Sequence, residues 1–459
     1  MTAQTPQTQQ TPPIPEGRAW KALGALSVGL FLTLLDQSLV AVALPRIREE
    51  LGASLNQAVW VSAIYLLTFA VPLLITGRLG DRFGQRNVYL AGMAVFTIAA
   101  LACAFAPTIE MLILARAFQG LGGSLLNPQP LSIIHRIFAH HRRGAATGIW
   151  SAVASSAGLF GPVIGGLLVG MIGWQAVFLV YVPLGFVSLI MVALYVPKLP
   201  TGASRIDYLS GLVSLVAVLA IVVALQQGPE LGYGPVVWMV LVFGIAALVL
   251  FVWMQTRSSA PLMPLRLFQT HNFTIGAFAV FMLGFTVYSV NLPIMLYLQS
   301  AQNMSPETAG LMLVPMGVIS VFMSPVIGGL TDRLAPGMIS RIGFIAMLST
   351  MALFAIFMIS DASPLMLLIP VLIFGVANAM CWAPNSTISL RDVPSDLVGS
   401  ASGVYNTSRQ VGAVVGAAAL GATMQIATDS FSFGTAMGAA IMLTLLPLAA
   451  GLFAVSRFK

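Results

Sequence analysis

A single carboxylate lies deep inside the first long apolar stretch of the chain. The stretch covers residues 20–45 and is long enough to cross a hydrocarbon core about 30 Å thick as one helix. Asp36 lies well within it, between Leu35 and Gln37. A charge at that depth costs about 3 kcal/mol or more, and charges inside a membrane commonly mark an ion or substrate path. Asp36 is therefore a candidate for reversible protonation, with a structural ion pair to a buried arginine as the alternative.

Arg116 is the candidate partner of Asp36. It lies in the fourth apolar stretch, with Gln119 one helical turn later. Counted from the ends of the two stretches on the same side of the membrane, Asp36 is about nine residues deep and Arg116 about eight, so both lie about 12–14 Å deep at 1.5 Å per residue. Burial disfavours the charged carboxylate, whereas a nearby guanidinium favours it. The pair fits a carboxyl group that alternates between a proton and a cationic cargo; a purely structural Arg116 is the alternative.

The composition excludes an ordinary soluble protein. Of 459 residues, 58% are hydrophobic and only 8% are charged, against about a quarter charged in soluble domains. The two cysteines lie in apolar stretches and the four histidines lie in or beside loops, so neither a disulfide framework nor a metal site is indicated. No loop is long enough to fold as an enzyme domain. We therefore expect a membrane protein that is not an enzyme and that needs no metal or cofactor.

Apolar stretches of spanning length recur fourteen times. They cover 20–45, 57–77, 87–107, 109–133, 144–170, 173–196, 208–227, 234–254, 271–299, 306–331, 337–360, 364–390, 397–426 and 432–456. With a cytoplasmic N-terminus, seventeen of the 21 Lys and Arg residues fall in cytoplasmic segments, as the positive-inside rule requires. This asymmetry explains the net charge of +7 without nucleic acid as a partner. The sequence predicts an all-α, polytopic protein of the cytoplasmic (inner) membrane with both termini in the cytoplasm.

The two halves of the chain resemble each other. GRLGDRFG at 77–84 returns as GGLTDRLA at 328–335, and the glycines at 144 and 148 return at 399 and 403. A near-constant offset indicates duplication, which is typical of transporters with a substrate site near the membrane midplane. The predicted order is a disordered cytoplasmic tail (1–19), a six-helix bundle (20–197), a cytoplasmic loop (198–207), two inserted spans (208–254), a cytoplasmic linker (255–270) that is interfacial or extended, and a second six-helix bundle (271–459).

Two glycine-containing segments are candidates for conformational gating. The first, GRLGDRFGQR at 77–86, places Asp81 among three arginines, where a charge network could lock one conformation and break in another. The second, GLFGPVIGG at 158–166, offers small residues for close helix contact and a proline that bends the helix. A basic membrane-edge loop and ordinary small-residue packing are the alternatives. The candidate gating residues are Gly77, Asp81, Arg82, Gly84, Arg86, Gly158, Gly161, Pro162 and Gly165.

These segments resemble those of the major facilitator superfamily. The 77–86 segment is similar to its G-x-L-x-D-R-x-G-x-R/K signature, and the 158–166 segment to the signature of its antiporters. LDQSLVAVALP at 35–45 resembles the fourteen-spanner drug:H+ antiporter branch, and Arg116 with Gln119 matches the R-x-x-Q-G motif to which the family assigns proton transfer. The resemblance implies proton coupling by Asp36, Arg116 and Gln119. It also implies two six-helix bundles with two extra central spans, and a multidrug exporter that works as a monomer by alternating access, with accessory export partners left open.

Polar and aromatic residues on the predicted spans are candidates for the substrate cavity. They are Gln37, Tyr65, Asn127, Trp150, Tyr288, Asn291, Asn378, Trp382 and Arg409. Aromatic rings can stack on a lipophilic cation, the expected cargo, but Gln175 and Tyr181 depart from the pattern of the branch in a region that lines the cavity of relatives. Arg409 has no evident acidic partner, so it caps carbonyl groups, binds an anion or faces a wet cavity. An exporter of one metabolite or lipid, a proton-coupled importer and a non-transporting sensor are the alternative functions.

Overall fold

A computed structural model of the protein describes residues 15–139, 142–201, 207–258, 261–394 and 397–459. Within these ranges every regular element is a helix. Long apolar stretches form helices because a helix satisfies its own backbone hydrogen bonds, which hydrocarbon cannot do. The prediction of an all-α polytopic fold is confirmed. Residues 1–14 of the predicted disordered tail lie outside the described ranges.

The first half of the chain contains nine helices in the described ranges. Their bounds are α1 (Glu16–Glu50), α2 (Leu55–Ala70), α3 (Leu73–Phe83), α4 (Gln85–Ala104), α5 (Ile109–Leu126), α6 (Gln129–Ile137), α7 (Arg143–Met171), α8 (Gln175–Leu179) and α9 (Tyr181–Tyr195). Helix α1 begins at Glu16, four residues before the predicted span, so the last part of the predicted tail is helical. Ser54 and Gln57 form a reciprocal cap at the start of α2, which satisfies backbone donors that the first helical turn leaves free.

Two further helices precede the second half. These are α10 (Tyr208–Gln227) and α11 (Pro235–Arg257), and a short 3₁₀ helix (Leu265–Gln269) follows them in the linker, where Leu262 and Leu267 are buried in the protein. The second half contains α12 (His271–Val287), α13 (Asn291–Leu296), α14 (Pro306–Arg333), α15 (Pro336–Ile359), α16 (Leu368–Arg391), α17 (Val398–Thr428), α18 (Phe433–Leu443) and α19 (Leu445–Val455).

The number of spans in the described residues is twelve by helix length and composition, or thirteen if one bent pair counts as a single span. The bent pair is formed by α2 and α3, whose axes differ by 51°, so the predicted span 57–77 is not one straight helix. Helix α7 covers the predicted span 144–170. Within the described residues, however, its continuous apolar part is Phe160–Met171, which is too short to cross a membrane by itself. The expected total of fourteen is therefore not confirmed.

The main helix contacts of the first half recur in the second. In the first half α1 packs on α7, α2 on α5, and α4 on α5; in the second half α12 packs on α17, α14 on α16, and α15 on α16. The halves contact each other mainly through α7 with α14 and α2 with α17. Helix α10 packs on α11, on α17 and on α2, so the inserted pair contacts both halves.

Both described ends of the chain lie on one face of the bundle, here called the terminal face: Arg18 near the start of α1 and Arg86, just after α3, both donate to carbonyl groups at the end of α9. Arg78 near the end of α3 donates to the carbonyl of Pro261 in the linker, and the linker leads to α12, whose Asn272 side chain bonds to the backbone of Lys459. At the other end, the opposite face, the halves are in contact: Gln299 Nε2 donates to the Val42 carbonyl at 3.0 Å. A Cβ on Gly328, nearer the terminal face, would meet nothing within 4 Å.

Candidate functional site

Helices α1 and α5 bring a buried ion pair together. Arg116 Nη1 lies 2.8 Å from Asp36 Oδ1, and Gln119 Nε2 donates to the same oxygen at 3.2 Å. Arg116 Nη1 also donates to Gln119 Oε1 at 2.8 Å. The three side chains are at most 1% exposed. The structure therefore joins Asp36 and Arg116 as their predicted depths require, with Gln119 bound to both.

The cation has further partners that hold its orientation. Arg116 Nε donates to the backbone carbonyl of Val61 at 3.1 Å. The guanidinium carbon lies 4.1 Å from the centre of the Tyr65 ring and 5.8 Å from that of Phe178. A desolvated cation over an aromatic face gains about 2 kcal/mol. These contacts fix Arg116 from several sides, so the geometry of the pair is set mainly by the protein around Arg116.

The carboxylate keeps one oxygen free of hydrogen bonds. Asp36 Oδ2 is buried and has no hydrogen-bond partner among the described residues, and the same holds for the hydroxyl of Tyr181. The two side chains are close enough to interact, although their geometry is not that of a hydrogen bond. A buried unpaired acceptor is costly unless it serves a purpose. Oδ2 is the atom at which Asp36 can accept a proton without first losing Arg116.

A small cavity adjoins the ion pair between the two halves. Its volume is about 30 Å³, enough for about two water molecules. Arg116 is part of its wall, so the cavity reaches the ion pair. The lining residues are Gln37, Val40, Ala41, Val59, Ser62, Tyr65, Leu66, Arg116, Tyr288, Ser289, Asn291, Leu292, Ala417, Leu420 and Met424. Four of the predicted cavity residues are among them: Gln37, Tyr65, Tyr288 and Asn291.

Three other predicted cavity residues form a separate cluster behind Tyr288. The Trp382 ring centre lies 6.1 Å from that of Tyr288 and 5.8 Å from the guanidinium carbon of Arg409. Trp382 Nε1 donates to Asn378 Oδ1 at 2.7 Å, and Asn378 Nδ2 donates to Ser320 Oγ at 3.2 Å. The cluster extends from the wall of the cavity into the second half.

Asn127 and Trp150 do not line this cavity. Asn127 caps the C-terminus of α5. The Trp150 ring is 8% exposed and packs in the main apolar core. Their assignment to the substrate cavity stays a prediction.

In the described part of this structure, Asp81 is near one of the three arginines of the 77–86 segment, because its charge interacts with that of Arg78. Asp81 accepts a hydrogen bond from Gln85 at 3.4 Å and forms no ion pair with Arg82 or Arg86. Arg86 instead donates to the carbonyls of Val192 and Ala193 at the end of α9. The partial negative charge at a helix C-terminus attracts cations, and this attraction explains why Arg86 binds the end of α9 and not Asp81. The proposed lock stays a prediction for another conformation.

The glycines of this segment serve two other purposes. Gly84 joins α3 to α4 with φ +89°, which an L side chain rarely adopts. A Cβ on Gly80 would lie 1.9 Å from Gln129 Oε1, so α3 and α6 approach closely there. Gly77 is less crowded, since its Cβ would lie 3.9 Å from Pro128. A tight turn and one close helix contact thus explain most of this glycine pattern.

The glycines of α7 face two neighbouring helices. A Cβ on Gly161 would lie 1.8 Å from Ser38 Oγ on α1, and one on Gly165 would lie 3.2 Å from Leu39. A Cβ on Gly310 of α14 would lie 2.2 Å from the carbonyl oxygen of Pro162. The surroundings of Gly158 lie outside the described part. Helix α7 therefore packs closely both on α1, which contains Asp36, and on the second half of the chain.

Sequence reasoning missed three contributors to the site. The carbonyl of Val61 has no signal in the sequence, and Phe178 is one of 26 phenylalanines. Tyr181 was noted only as a departure from the branch pattern, although its hydroxyl in an apolar helix needs a polar neighbour when buried. That requirement is the one signal that could have placed it beside Asp36.

Comparison with known proteins identifies the family. Residues 26–417 match the family model of the Major Facilitator Superfamily. The chain is 39% identical over 410 residues to an uncharacterized MFS-type transporter of Mycobacterium tuberculosis. The aligned region covers 88% of this chain and 70% of the relative. It is 33% identical over 405 residues to the multidrug resistance protein Stp of Mycobacterium tuberculosis, covering 87% of this chain and 75% of that protein.

A third relative and a solved structure agree with this. The methylenomycin A resistance protein of Streptomyces coelicolor is 34% identical over 411 residues, covering 88% of this chain and 86% of the relative. The crystal structure of a D-xylose–proton symporter superposes with a TM-score of 0.70 at 14% identity, over 96% of this chain and 97% of that chain. That likeness shows the fold alone. This multi-pass membrane protein is a transporter of the major facilitator superfamily, with relatives named for multidrug and antibiotic resistance.

Proposed function

We propose that the protein is a proton-coupled antiporter that exports hydrophobic, cationic drugs or toxic compounds by alternating access. The observation that carries the proposal is the buried Asp36–Arg116 pair, whose second carboxylate oxygen is unpartnered and whose arginine lines a cavity between the halves. A charged pair that only joined two helices would not need to adjoin a cavity. Relatives named for drug resistance support the direction of transport.

Asp36 is the coupling residue in this mechanism. Facing outward, its carboxyl group takes a proton at Oδ2; facing inward, it releases the proton and attracts a cationic cargo. Two states with different affinities for proton and cargo are sufficient for coupling. One charge moving through 100 mV supplies about 2.3 kcal/mol, which corresponds to about fiftyfold accumulation. Arg116 and Gln119 orient the carboxylate, and no cofactor takes part.

The rest of the proposal concerns placement in the membrane. We infer fourteen spans. Twelve helices can span by length and composition, the bent pair of α2 and α3 forms one further span, and α7 forms another. The distribution of Lys and Arg along the chain supports cytoplasmic termini in the cytoplasmic (inner) membrane. The protein then acts as a monomer on small molecules and protons, and an accessory export partner fits this arrangement equally well.

The test is dye export by purified protein in proteoliposomes. With an imposed pH gradient, the wild type is expected to accumulate ethidium on the side that corresponds to the cell exterior. Asp36→Asn keeps an oxygen that accepts from Arg116 but cannot take up a proton, so gradient-driven accumulation is expected to fall to the level of protein-free vesicles. Asp429→Asn is the matched control, since Asp429 is exposed at the opposite face and has no side-chain partner among the described residues.

Three results would contradict the proposal in whole or in part. Full gradient-driven accumulation by a normally expressed Asp36→Asn variant would remove Asp36 from the coupling step. Movement of cargo in the same direction as the protons would show a symporter, and thus an importer. Transport of one compound from a broad panel would replace the multidrug assignment with a dedicated exporter.

A further inference from the structure

The two arginines inside the spanning helices have opposite surroundings. Arg116 is paired with Asp36, with Gln119 and with a backbone carbonyl. Arg409 forms no ion pair and no hydrogen bond with any described residue, and its Nε atom is buried without an acceptor. The Trp382 ring centre lies 5.8 Å from the guanidinium carbon, and Tyr405, one helical turn earlier on α17, is near enough for the charge of Arg409 to act on it. One intramembrane cation is therefore neutralised by the protein and the other is not.

Arg409 is a partly buried side chain in a membrane-spanning helix, where the lack of a counter-charge is costly. It lies eleven residues into α17, which places it about 17 Å along the helix at 1.5 Å per residue, near the middle of a span. Its helix is tightly packed there, because a Cβ on Gly284 of α12 would lie 2.1 Å from the Arg409 carbonyl oxygen. An intramembrane arginine is a functional-site hypothesis by default. The group that would neutralise Arg409 is an anion.

The surroundings of Arg409 also fit an aromatic cargo. Trp382 separates Arg409 from Tyr288, and Tyr288 lines the cavity that reaches Arg116. A ligand that extends from this cavity towards Arg409 would pass two aromatic rings and the amide of Asn378. The planar guanidinium group of Arg409 has several N–H donors in a fixed arrangement that suits the two oxygens of a carboxylate. Asp36 lies on the other side of the cavity wall, behind Arg116.

We propose that Arg409 binds a carboxylate or other anionic group of the cargo, so that the transporter accepts zwitterionic aromatic amphiphiles as well as cations. This inference rests on the proposed function, because it names a second charge that the same cavity recognises once alternating access widens it beyond the two-water volume seen here. A free inorganic anion would offer the same chemistry to Arg409, and the experiment separates the two sources.

The test uses two dyes that differ only in one carboxyl group. Rhodamine 110 carries a free carboxylate, and rhodamine 123 is its methyl ester. Binding is measured by fluorescence anisotropy on detergent-purified full-length protein, without any proton gradient. Arg409→Gln is expected to weaken binding of rhodamine 110 by about tenfold or more, as loss of one partner of a desolvated charge pair does, and to change binding of rhodamine 123 by less than about twofold.

Three further measurements complete the design. Arg409→Lys keeps the charge and is expected to restore most of the lost affinity. Arg266→Gln removes an exposed cation in the linker and is expected to leave both dyes unaffected. Equal weakening of both dyes in Arg409→Gln would show a structural role and overturn the proposal, as would unchanged binding of rhodamine 110. Raising the chloride concentration is expected to leave the ratio of the two affinities unchanged; a collapse of that ratio at high chloride would assign the site to an inorganic anion.

Because binding needs no gradient, its outcome is independent of proton coupling. Loss of carboxylate selectivity with intact ethidium export would reject the Arg409 site alone. Intact selectivity with no response to Asp36→Asn would reject the coupling mechanism alone.

Discussion

Gln119 is bonded to both members of the ion pair, and this gives it a role distinct from either. Its amide donates to Asp36 and its carbonyl accepts from Arg116. A hydrogen bond to a charged group contributes about 1.5–3 kcal/mol. The residue therefore holds the carboxylate in one orientation while leaving Oδ2 free.

Replacement of Gln119 by methionine keeps its length and removes both bonds. We expect Gln119→Met to lower the maximal rate of gradient-driven ethidium export by about tenfold or more, with little change in the KM for the dye, since Gln119 does not line the cavity. Initial rates in proteoliposomes measure both values. Gln425→Met is the control, because the Gln425 side chain forms no hydrogen bond with described residues. A rise in KM at constant maximal rate would instead place Gln119 in cargo binding.

At this scale the sequence was informative where a residue is rare for its surroundings. Asp36 and Arg116 could be paired because charges inside apolar stretches are few and depth follows from counting residues. Tyr65 was assigned to the cavity for cargo, yet its ring also lies over Arg116. That second contact was not predictable, because it depends on how α2 and α5 are rotated against each other.

The contact between α7 and α14 joins the two halves through backbone atoms. Gly310→Ala would place a Cβ 2.2 Å from the Pro162 carbonyl oxygen, and a backbone atom cannot move away by changing a rotamer. Overpacking of this kind costs about 1–3 kcal/mol. We expect the apparent Tm in detergent to fall by several degrees in a thermal-shift assay, with export slowed.

Gly328→Ala is the matched control on the same helix. A Cβ there would meet nothing within 4 Å, and alanine favours a helix over glycine by about 1 kcal/mol. Its Tm is expected to stay equal or rise. Equal losses of stability in both variants would show that α14 tolerates no added methyl group anywhere and that the contact with α7 is not special.

Contacts between helices explain why Arg86 does not bind Asp81 in this structure. Asp81 and the arginines around it are neighbours in sequence, so a local network was the natural expectation. Arg86 instead binds carbonyl groups of α9, more than a hundred residues later in the chain. The composition of the 77–86 segment does not encode the position of that helix end, since it follows from the packing of α4 on α9.

The inserted pair of helices is attached to the rest of the molecule by a buried polar cluster. Gln226 Nε2 of α10 donates to Asn56 Oδ1 of α2 at 2.6 Å, and Asn56 Nδ2 donates to Gln227 Oε1 at 2.5 Å. Gln226 is fully buried, and Gly421 of α17 packs against it. Hydropathy alone predicted two extra spans, but it could not show that they lie on the contact between the halves.

The orientation of the whole molecule can be tested at single introduced cysteines. If α10 and α11 both span and the termini are cytoplasmic, Glu230→Cys and Ser360→Cys lie outside the cell, whereas Ser456→Cys lies inside. All three positions are exposed, and the native cysteines at 103 and 381 are buried. In intact cells a membrane-impermeant maleimide is expected to label the first two variants, and the third only after the cells are opened. Labelling of Ser456→Cys in intact cells would reverse the orientation, and protection of Glu230→Cys beside labelled Ser360→Cys would show that the inserted pair does not cross the membrane.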